Sequence, residues 1–133
     1  MEDEIKIFEM PIDLKIEGIA MVAKECVNIA YHVAKKNPEI DIIEGVVIIF
    51  DKEDRATAVA HMWNRHKEKD FDVTYEKVWK DTDEMIDTKE LKYYQTQQND
   101  LSQFIVGKDN DFSEQTKLDV KEINRIILEK AKK

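Results

Sequence analysis

Turn-forming residues are scarce in this sequence, which has only three glycines and two prolines among its 133 residues. Such low numbers argue against a long flexible linker and against a β-sandwich with many tight turns. The single cysteine cannot form an internal disulfide, so we expect a protein of the reducing cytoplasm. The length fits one domain over residues 1–133, with a core that needs no covalent cross-link.

Long apolar runs and an excess of positive charge are also missing. No segment approaches the roughly 20 apolar residues of a membrane helix, and no basic stretch followed by an apolar run marks a secretory signal near the start. The formal net charge is −8. Such a surface repels nucleic acid backbones and anionic membranes, so we expect neither as a partner. The pattern specifies no oligomeric state.

Helical periodicity is present in two segments. From Ile19 to Lys36, apolar residues follow the 3.6-residue period along a face that includes Cys26, and Asn37-Pro38 ends the segment. The second helix lies at the C-terminal end, with Thr116 as its candidate N-cap. Its predicted inner face consists of four apolar residues, Val120, Ile123, Ile126 and Ile127.

Strand-like patterns fill the region between the two helices. We predict strands over residues 44–50, 56–64, 70–76, 90–97 and 102–106, and a loop over 107–115. Residues 5–16 form either an edge strand or extended arm interrupted by Pro11, or the start of a helix after Asp13.

The order of these elements predicts an α+β fold. Short connections between consecutive strands favour antiparallel pairing. We therefore expect an antiparallel sheet of about four to five strands, packed against the cysteine-bearing helix and the C-terminal helix.

The second and third predicted strands form a hairpin that brings a histidine and an aspartate together. If the turn covers residues 65–68, Asn64 faces Lys69 and His61 faces Asp72. Directly opposed residues share a face with Cβ atoms about 4.5–5.5 Å apart, so an imidazole N–H reaches the carboxylate. The pairing requires an even number of residues in the turn.

A histidine held by a carboxylate is suited to nucleophilic acyl transfer. The carboxylate fixes the imidazole tautomer, and the other ring nitrogen deprotonates a thiol or hydroxyl. Cys26 is the candidate thiol, because it lies on a helix that must cover the sheet. The expected catalytic residues are Cys26, His61 and Asp72.

Five short motifs follow one another between residues 24 and 95. They are CVNIAY from Cys26, the strand beginning EG at 44–50, HMWN at 61–64, FDVT at 71–74 and YY at 93–94. In this order they resemble the transglutaminase-like branch of the papain-like cysteine enzymes.

That resemblance implies a papain/transglutaminase-like core in which Cys26 is the nucleophile, His61 the base and Asp72 the orienting acid. Members of the family act as peptidases, amidases, deamidases or amide-transferring enzymes, and some have lost activity. We therefore expect amide or ester hydrolysis or transfer through a thioester, on a peptide or protein substrate and without a cofactor. The alternative is a catalytically inactive module on the same fold that binds a protein or peptide.

The resemblance also raises the question of an oxyanion donor. The family usually supplies one from a side chain upstream of the cysteine, but residues 1–25 contain no Gln, Asn, Trp or His. If the helix begins near Cys26, backbone N–H groups serve instead; if it begins well before, Cys26 has no free N–H nearby. The sequence leaves both possibilities open.

Trp63 and Asn64 follow His61 and are the candidate substrate-binding residues. The structural alternative is that Trp63 is a core aromatic whose N–H needs a partner, and that Asn64 hydrogen-bonds the backbone of the turn at the end of its strand.

Zinc binding is the rival chemistry. The candidate ligands are Cys26, His61, His66, Asp70 and Asp72. No pair among them has HxH, CxxC or HExxH spacing, so we predict no metal site.

Overall fold

A curled five-stranded sheet and three α-helices form the part of the chain that the computed structural model describes, residues 3–22, 25–82, 85–101, 104 and 111–131. The strands are β1 (Ile7–Phe8), β2 (Asp41–Asp51), β3 (Ala56–His66), β4 (Lys69–Phe71) and β5 (Thr88–Asn99). The helices are α1 (Cys26–Lys36), α2 (Val73–Lys77) and α3 (Glu114–Ala131), and a short 3-10 turn covers Trp79–Asp81. The predicted α+β class is confirmed.

The sheet is mixed, so the prediction of an antiparallel sheet is wrong. The strand order is β1-β4-β3-β2-β5, and every neighbouring pair is antiparallel except β1 and β4, which are parallel. The two edges of the sheet also meet. The Ile5 N–H, just before β1, donates to the carbonyl of Tyr93 in β5 at 2.7 Å, which curls the sheet toward closure. The rule of short connections failed here because β1 and β4 are far apart in sequence.

The β3–β4 hairpin has a different register from the predicted one. Its turn contains only Lys67 and Glu68, both at positive φ, as in a two-residue hairpin turn. Asn64 consequently pairs with Phe71, two residues beyond the predicted partner. A slip of two residues leaves every side chain on its predicted face.

The strand predicted over 70–76 is also wrong beyond Phe71. Asp72 acts as the N-cap of α2, and its side chain accepts a hydrogen bond from the Tyr75 N–H at 3.1 Å. An aspartate in this role satisfies an N–H that the new helix leaves without a partner. Strand β4 therefore ends and α2 begins at Asp72, the residue expected to hydrogen-bond His61.

Helix α1 begins at Cys26, seven residues after the predicted start at Ile19. Residues 19–22 and Glu25 are not helical, and Ile19 and Met21 pack on the core cluster around Ile29 and Val33. Asn37 fixes this arrangement, because its side chain hydrogen-bonds both backbone polar groups of Lys15 and the Val33 carbonyl. Ile19 thus packs in the core from outside the helix, whereas Val22, on the same predicted helical face, is exposed.

Helix α3 is capped by Ser113 and not by Thr116. The Ser113 hydroxyl accepts from the Thr116 N–H at 3.3 Å, and Thr116 itself lies inside the helix. The Asn124 side chain joins this helix to β3 through both backbone polar groups of Ala58, at 2.8 and 2.9 Å. Of the predicted inner face, Ile126 is exposed.

The strands predicted over 44–50, 56–64 and 90–97 are confirmed as parts of β2, β3 and β5. The strand predicted over 102–106 lies outside the described residues, apart from Phe104, which is not in a strand. Among the helices of the described segments, none has the length and apolar character needed to cross a membrane.

Candidate active site

Cys26 occupies the first position of α1 and is 9% exposed. The first hydrogen bond of the helix joins the Ile29 N–H to the Glu25 carbonyl at 2.9 Å. The N–H groups of Cys26, Val27 and Asn28 therefore have no acceptor within the helix. Glu25 provides no side-chain cap for them. The thiol thus lies beside backbone N–H groups that have no acceptor among the described residues, at the positive end of a helix dipole.

His61 and Asp72 form a buried hydrogen-bonded pair. Nε2 of His61 lies 2.8 Å from Oδ2 of Asp72, and neither side chain reaches solvent. The register places them diagonally across the end of the β3–β4 hairpin, not directly opposite each other. Side chains on one face of a sheet reach such diagonal neighbours.

The Asp72 carboxylate is fully engaged. Oδ1 accepts the Tyr75 N–H at 3.1 Å, and Oδ2 accepts the Tyr93 hydroxyl at 2.5 Å as well as His61. A carboxylate with three donors is fixed in both position and orientation. The sequence did not point to Tyr93 in this role, because the pairing of β5 with β2 had no predicted register.

The second nitrogen of His61, Nδ1, is buried and has no hydrogen-bond partner among the described residues. Burial favours the neutral ring, but the charge and hydrogen bond of Asp72, together with the interaction with Cys26, outweigh it and raise the pKa of His61 to about 10. Cys26 thus lies close enough to act on the ring, although no hydrogen bond of ordinary geometry is formed at Nδ1. Catalytic hydrogen bonds are often this loose before substrate binds.

Two aromatic rings flank the imidazole. The Trp79 ring centroid is 4.3 Å from that of His61, and the Trp63 centroid is 6.1 Å away. These contacts limit the access of water to the ring and strengthen its electrostatic interactions. Trp79 was missed in the sequence, since it lies on the 3-10 turn after α2, outside the hairpin that carried the prediction.

Trp63 and Asn64, the candidate substrate-binding residues, lie in the interior. Trp63 donates its indole N–H to Oδ2 of Asp70 at 2.8 Å, and Asn64 donates to the Ala30 carbonyl at 3.1 Å and to the Asp41 carbonyl at 3.3 Å. Asn64 therefore joins β3, which carries His61, to α1, which carries Cys26.

The ligand set considered for zinc is divided between two places. Cys26, His61 and Asp72 lie together, whereas Asp70 pairs with Arg65 and His66 lies at the hairpin turn. Within the segments described, no group of three or more His, Cys, Asp or Glu side chains is arranged to hold a metal ion.

No protein-family model, curated protein or solved structure matches the chain. The family resemblance of the motifs around Cys26, His61 and Asp72 therefore stays a prediction.

Proposed function

We propose that the chain is a cysteine acyl-transfer enzyme of the transglutaminase-like type, which cleaves or transfers an amide or ester through a thioester on Cys26. The supporting observation is the buried His61 ring, which is held by Asp72 at Nε2 and interacts with Cys26, while Nδ1 has no hydrogen-bond partner among the described residues. A nucleophile, a base and an orienting group in this relation are the parts that such chemistry requires.

The reaction follows from these positions. Cys26 and His61 share one proton, which lies on Nδ1 of the imidazolium when the Cys26 sulfur attacks the carbonyl carbon of the substrate. The free N–H groups at the start of α1 stabilise the oxyanion of the tetrahedral intermediate. His61 then returns the proton to the leaving amine or alcohol as the thioester forms. Water or an acceptor amine attacks the thioester and restores the thiol.

The electrostatics of the site favour the protonated form of the His61 ring. A raised pKa of His61 means that its folded environment stabilises the imidazolium. The imidazolium beside the Cys26 sulfur can then give its proton to the leaving group. Asp72 remains the hydrogen-bonded counter-charge of the ring throughout.

We propose a peptide or protein substrate and a cytoplasmic location. Both rest on the family resemblance, the single cysteine and the acidic surface with its net charge of −8. The helix and curled sheet around Cys26 are compatible with a papain-like core.

The reactivity of Cys26 tests the proposal, and it can be read without interference because the chain has no other cysteine. We expect iodoacetamide to alkylate Cys26 at about pH 6.5 about tenfold or more faster than a free thiol. His61→Ala should abolish this difference, whereas His66→Ala, at the hairpin turn, should retain it. With an activated aryl ester, wild type should release a burst of phenol and carry the acyl group on Cys26.

The alternative, an inactive binding module, makes the opposite prediction. If Cys26 reacts only when urea unfolds the protein, and no acyl group is found on it, the enzymatic proposal is wrong.

A further inference from the structure

We propose that Tyr93 is a positioning residue of this site, which shares the Asp72 carboxylate with His61 and so controls how firmly the imidazole holds its proton. The inference rests on the proposed function, because it concerns the same residues. It adds a fourth member to the site, contributed by β5, from which no catalytic residue was expected.

The geometry places two donors on one carboxylate oxygen. Oδ2 of Asp72 accepts the Tyr93 hydroxyl at 2.5 Å and Nε2 of His61 at 2.8 Å, and all three side chains are buried. The Tyr93 ring makes an edge contact with the Trp63 ring, with centroids 5.2 Å apart, and another with His61 at 6.2 Å. The hydroxyl is therefore held against the carboxylate by the packing of its own ring.

Among the described residues, three other ionisable side chains interact with the His61 ring. Helix α1 contributes Cys26, the start of α2 contributes Asp72, and β5 contributes Tyr93. The turn after α2 contributes the uncharged ring of Trp79, and β2 contributes Gly45 at the paired position. The hydrogen bond of Tyr93 to Asp72 can therefore alter the charge balance at the imidazole.

Tyr93 is a constant donor. Burial, together with the charge and hydrogen bond of Asp72, raises the pKa of Tyr93 far above its usual value. The hydroxyl therefore keeps its proton throughout the working range and cannot exchange roles with the carboxylate.

The direction of the effect follows from linkage. When His61 is protonated, the imidazolium balances the charge of Asp72; when His61 is neutral, that charge has no counter-ion and the Tyr93 hydrogen bond is stronger. The bond therefore stabilises the neutral imidazole more than the imidazolium. Tyr93 makes His61 a better proton donor to the leaving group than Asp72 alone would allow.

The test is the titration of the His61 ring, followed by nitrogen-15 NMR in wild type, Tyr93→Phe and Tyr94→Phe. We expect Tyr93→Phe to move the midpoint upward by about one pH unit. Tyr94→Phe, which changes the next residue of the same strand, should leave the midpoint unchanged. A Tyr93→Phe midpoint equal to that of wild type would overturn the proposal.

A second variant keeps the hydrogen bond and changes only its strength. Replacing Tyr93 alone with 3-fluorotyrosine gives a more acidic hydroxyl and a stronger donor, so the His61 midpoint should move downward. This variant keeps the ring and serves as the test if Tyr93→Phe does not fold. An upward shift or no shift with fluorotyrosine would contradict the proposal.

The outcome is separate from that of the proposed function. The acyl transfer is judged by thioester formation on Cys26, and the role of Tyr93 by the proton equilibrium of His61. If the thioester forms but the His61 midpoint does not move in the Tyr93 variants, the role of Tyr93 is wrong and the proposed enzymatic function stands. If the two Tyr93 variants shift the His61 midpoint in opposite directions but no thioester forms, the proposed enzymatic function is wrong. The coupling between Tyr93 and His61 then stands.

Discussion

Nε2 of His61 lies 2.8 Å from Oδ2 of Asp72, although the two residues do not face each other in the β3–β4 ladder. Asp72 is also the residue at which the strand ends and α2 begins. The same carboxylate therefore caps a helix and holds a histidine, and its replacement affects both.

We expect Asp72→Asn to separate these two roles. Asparagine still caps a helix, so the free energy of unfolding should change less than in Asp72→Ala, which loses the cap as well. An amide oxygen still accepts the ring N–H but carries no negative charge to balance the imidazolium, so the acyl-transfer rate should fall by about a hundredfold to ten-thousandfold in both variants. Urea unfolding and burst kinetics measure the two effects. Equal burst rates in wild type and Asp72→Asn would contradict the assigned role of Asp72.

The raised pKa of His61 predicts a specific pH dependence. The folded protein keeps this proton up to about pH 10, whereas an unfolded histidine loses it near about pH 6.5. The stability contributed by the proton is thus fully present below pH 6.5 and is lost as the pH rises through the folded pKa. NMR should show a protonated His61 ring at about pH 8 in wild type and a neutral one in Asp72→Asn. The rings of His32 and His66 provide internal references in the same spectra.

Gly45→Ala should strongly destabilise the fold. A Cβ at this position would lie 2.0 Å from the Tyr94 carbonyl oxygen and 2.7 Å from Cη2 of Trp63. Because the first of these atoms is backbone, the β2–β5 pairing must shift, and we expect a loss of about 1–3 kcal/mol or more in urea unfolding. Gly18→Ala is the matched control, since its nearest neighbour is a lysine Nζ at 3.8 Å and only its positive φ opposes the substitution. A smaller loss at Gly45 than at Gly18 would contradict this account.

Glu44→Gln should loosen α3 without affecting the reactivity of Cys26. The buried Glu44 carboxylate accepts from Asn99 at 3.1 Å, from the N–H and hydroxyl of Ser113 at 3.1 and 2.6 Å, and from the Thr116 hydroxyl. A glutamine presents N–H groups to these donors, which should cost about 1–3 kcal/mol of unfolding free energy.

Hydrogen exchange in α3 and alkylation of Cys26 check this prediction. Faster exchange in α3 is expected in Glu44→Gln, with an unchanged alkylation rate. The surface variant Glu122→Gln, which loses an exposed pair with Arg125, should resemble wild type in both measurements. Slower alkylation in Glu44→Gln would show that α3 and the site are coupled.

The sequence predicts the central strands and the candidate pair because both depend on period-two alternation. His61 and Asp72 share a face for any even turn, so an error of two residues in the register left the pair intact. The existence of β2 and β3 follows in the same way from their β-branched and alternating residues.

The other features depend on contacts between distant parts of the chain. The apolar period before Cys26 continues into α1, so the pattern alone gives no sign that the helix begins only at Cys26. Predicting the role of Tyr93 needs the register between β2 and β5. Predicting the parallel pairing of β1 needs the position of the free edge of β4. None of these can be inferred from local patterns.

The backbone bridge between Ile5 and Tyr93 connects the N-terminal arm to the candidate active site, although the arm is distant from His61 in sequence. The Ile5 N–H holds the carbonyl of the residue whose hydroxyl holds Asp72. The arm therefore helps to hold β5, the strand that carries the Tyr93 hydroxyl, in place. The Ile5 side chain also packs on the cluster that contains Tyr93 and Trp63, so we expect removal of residues 1–6 to disturb the environment of His61.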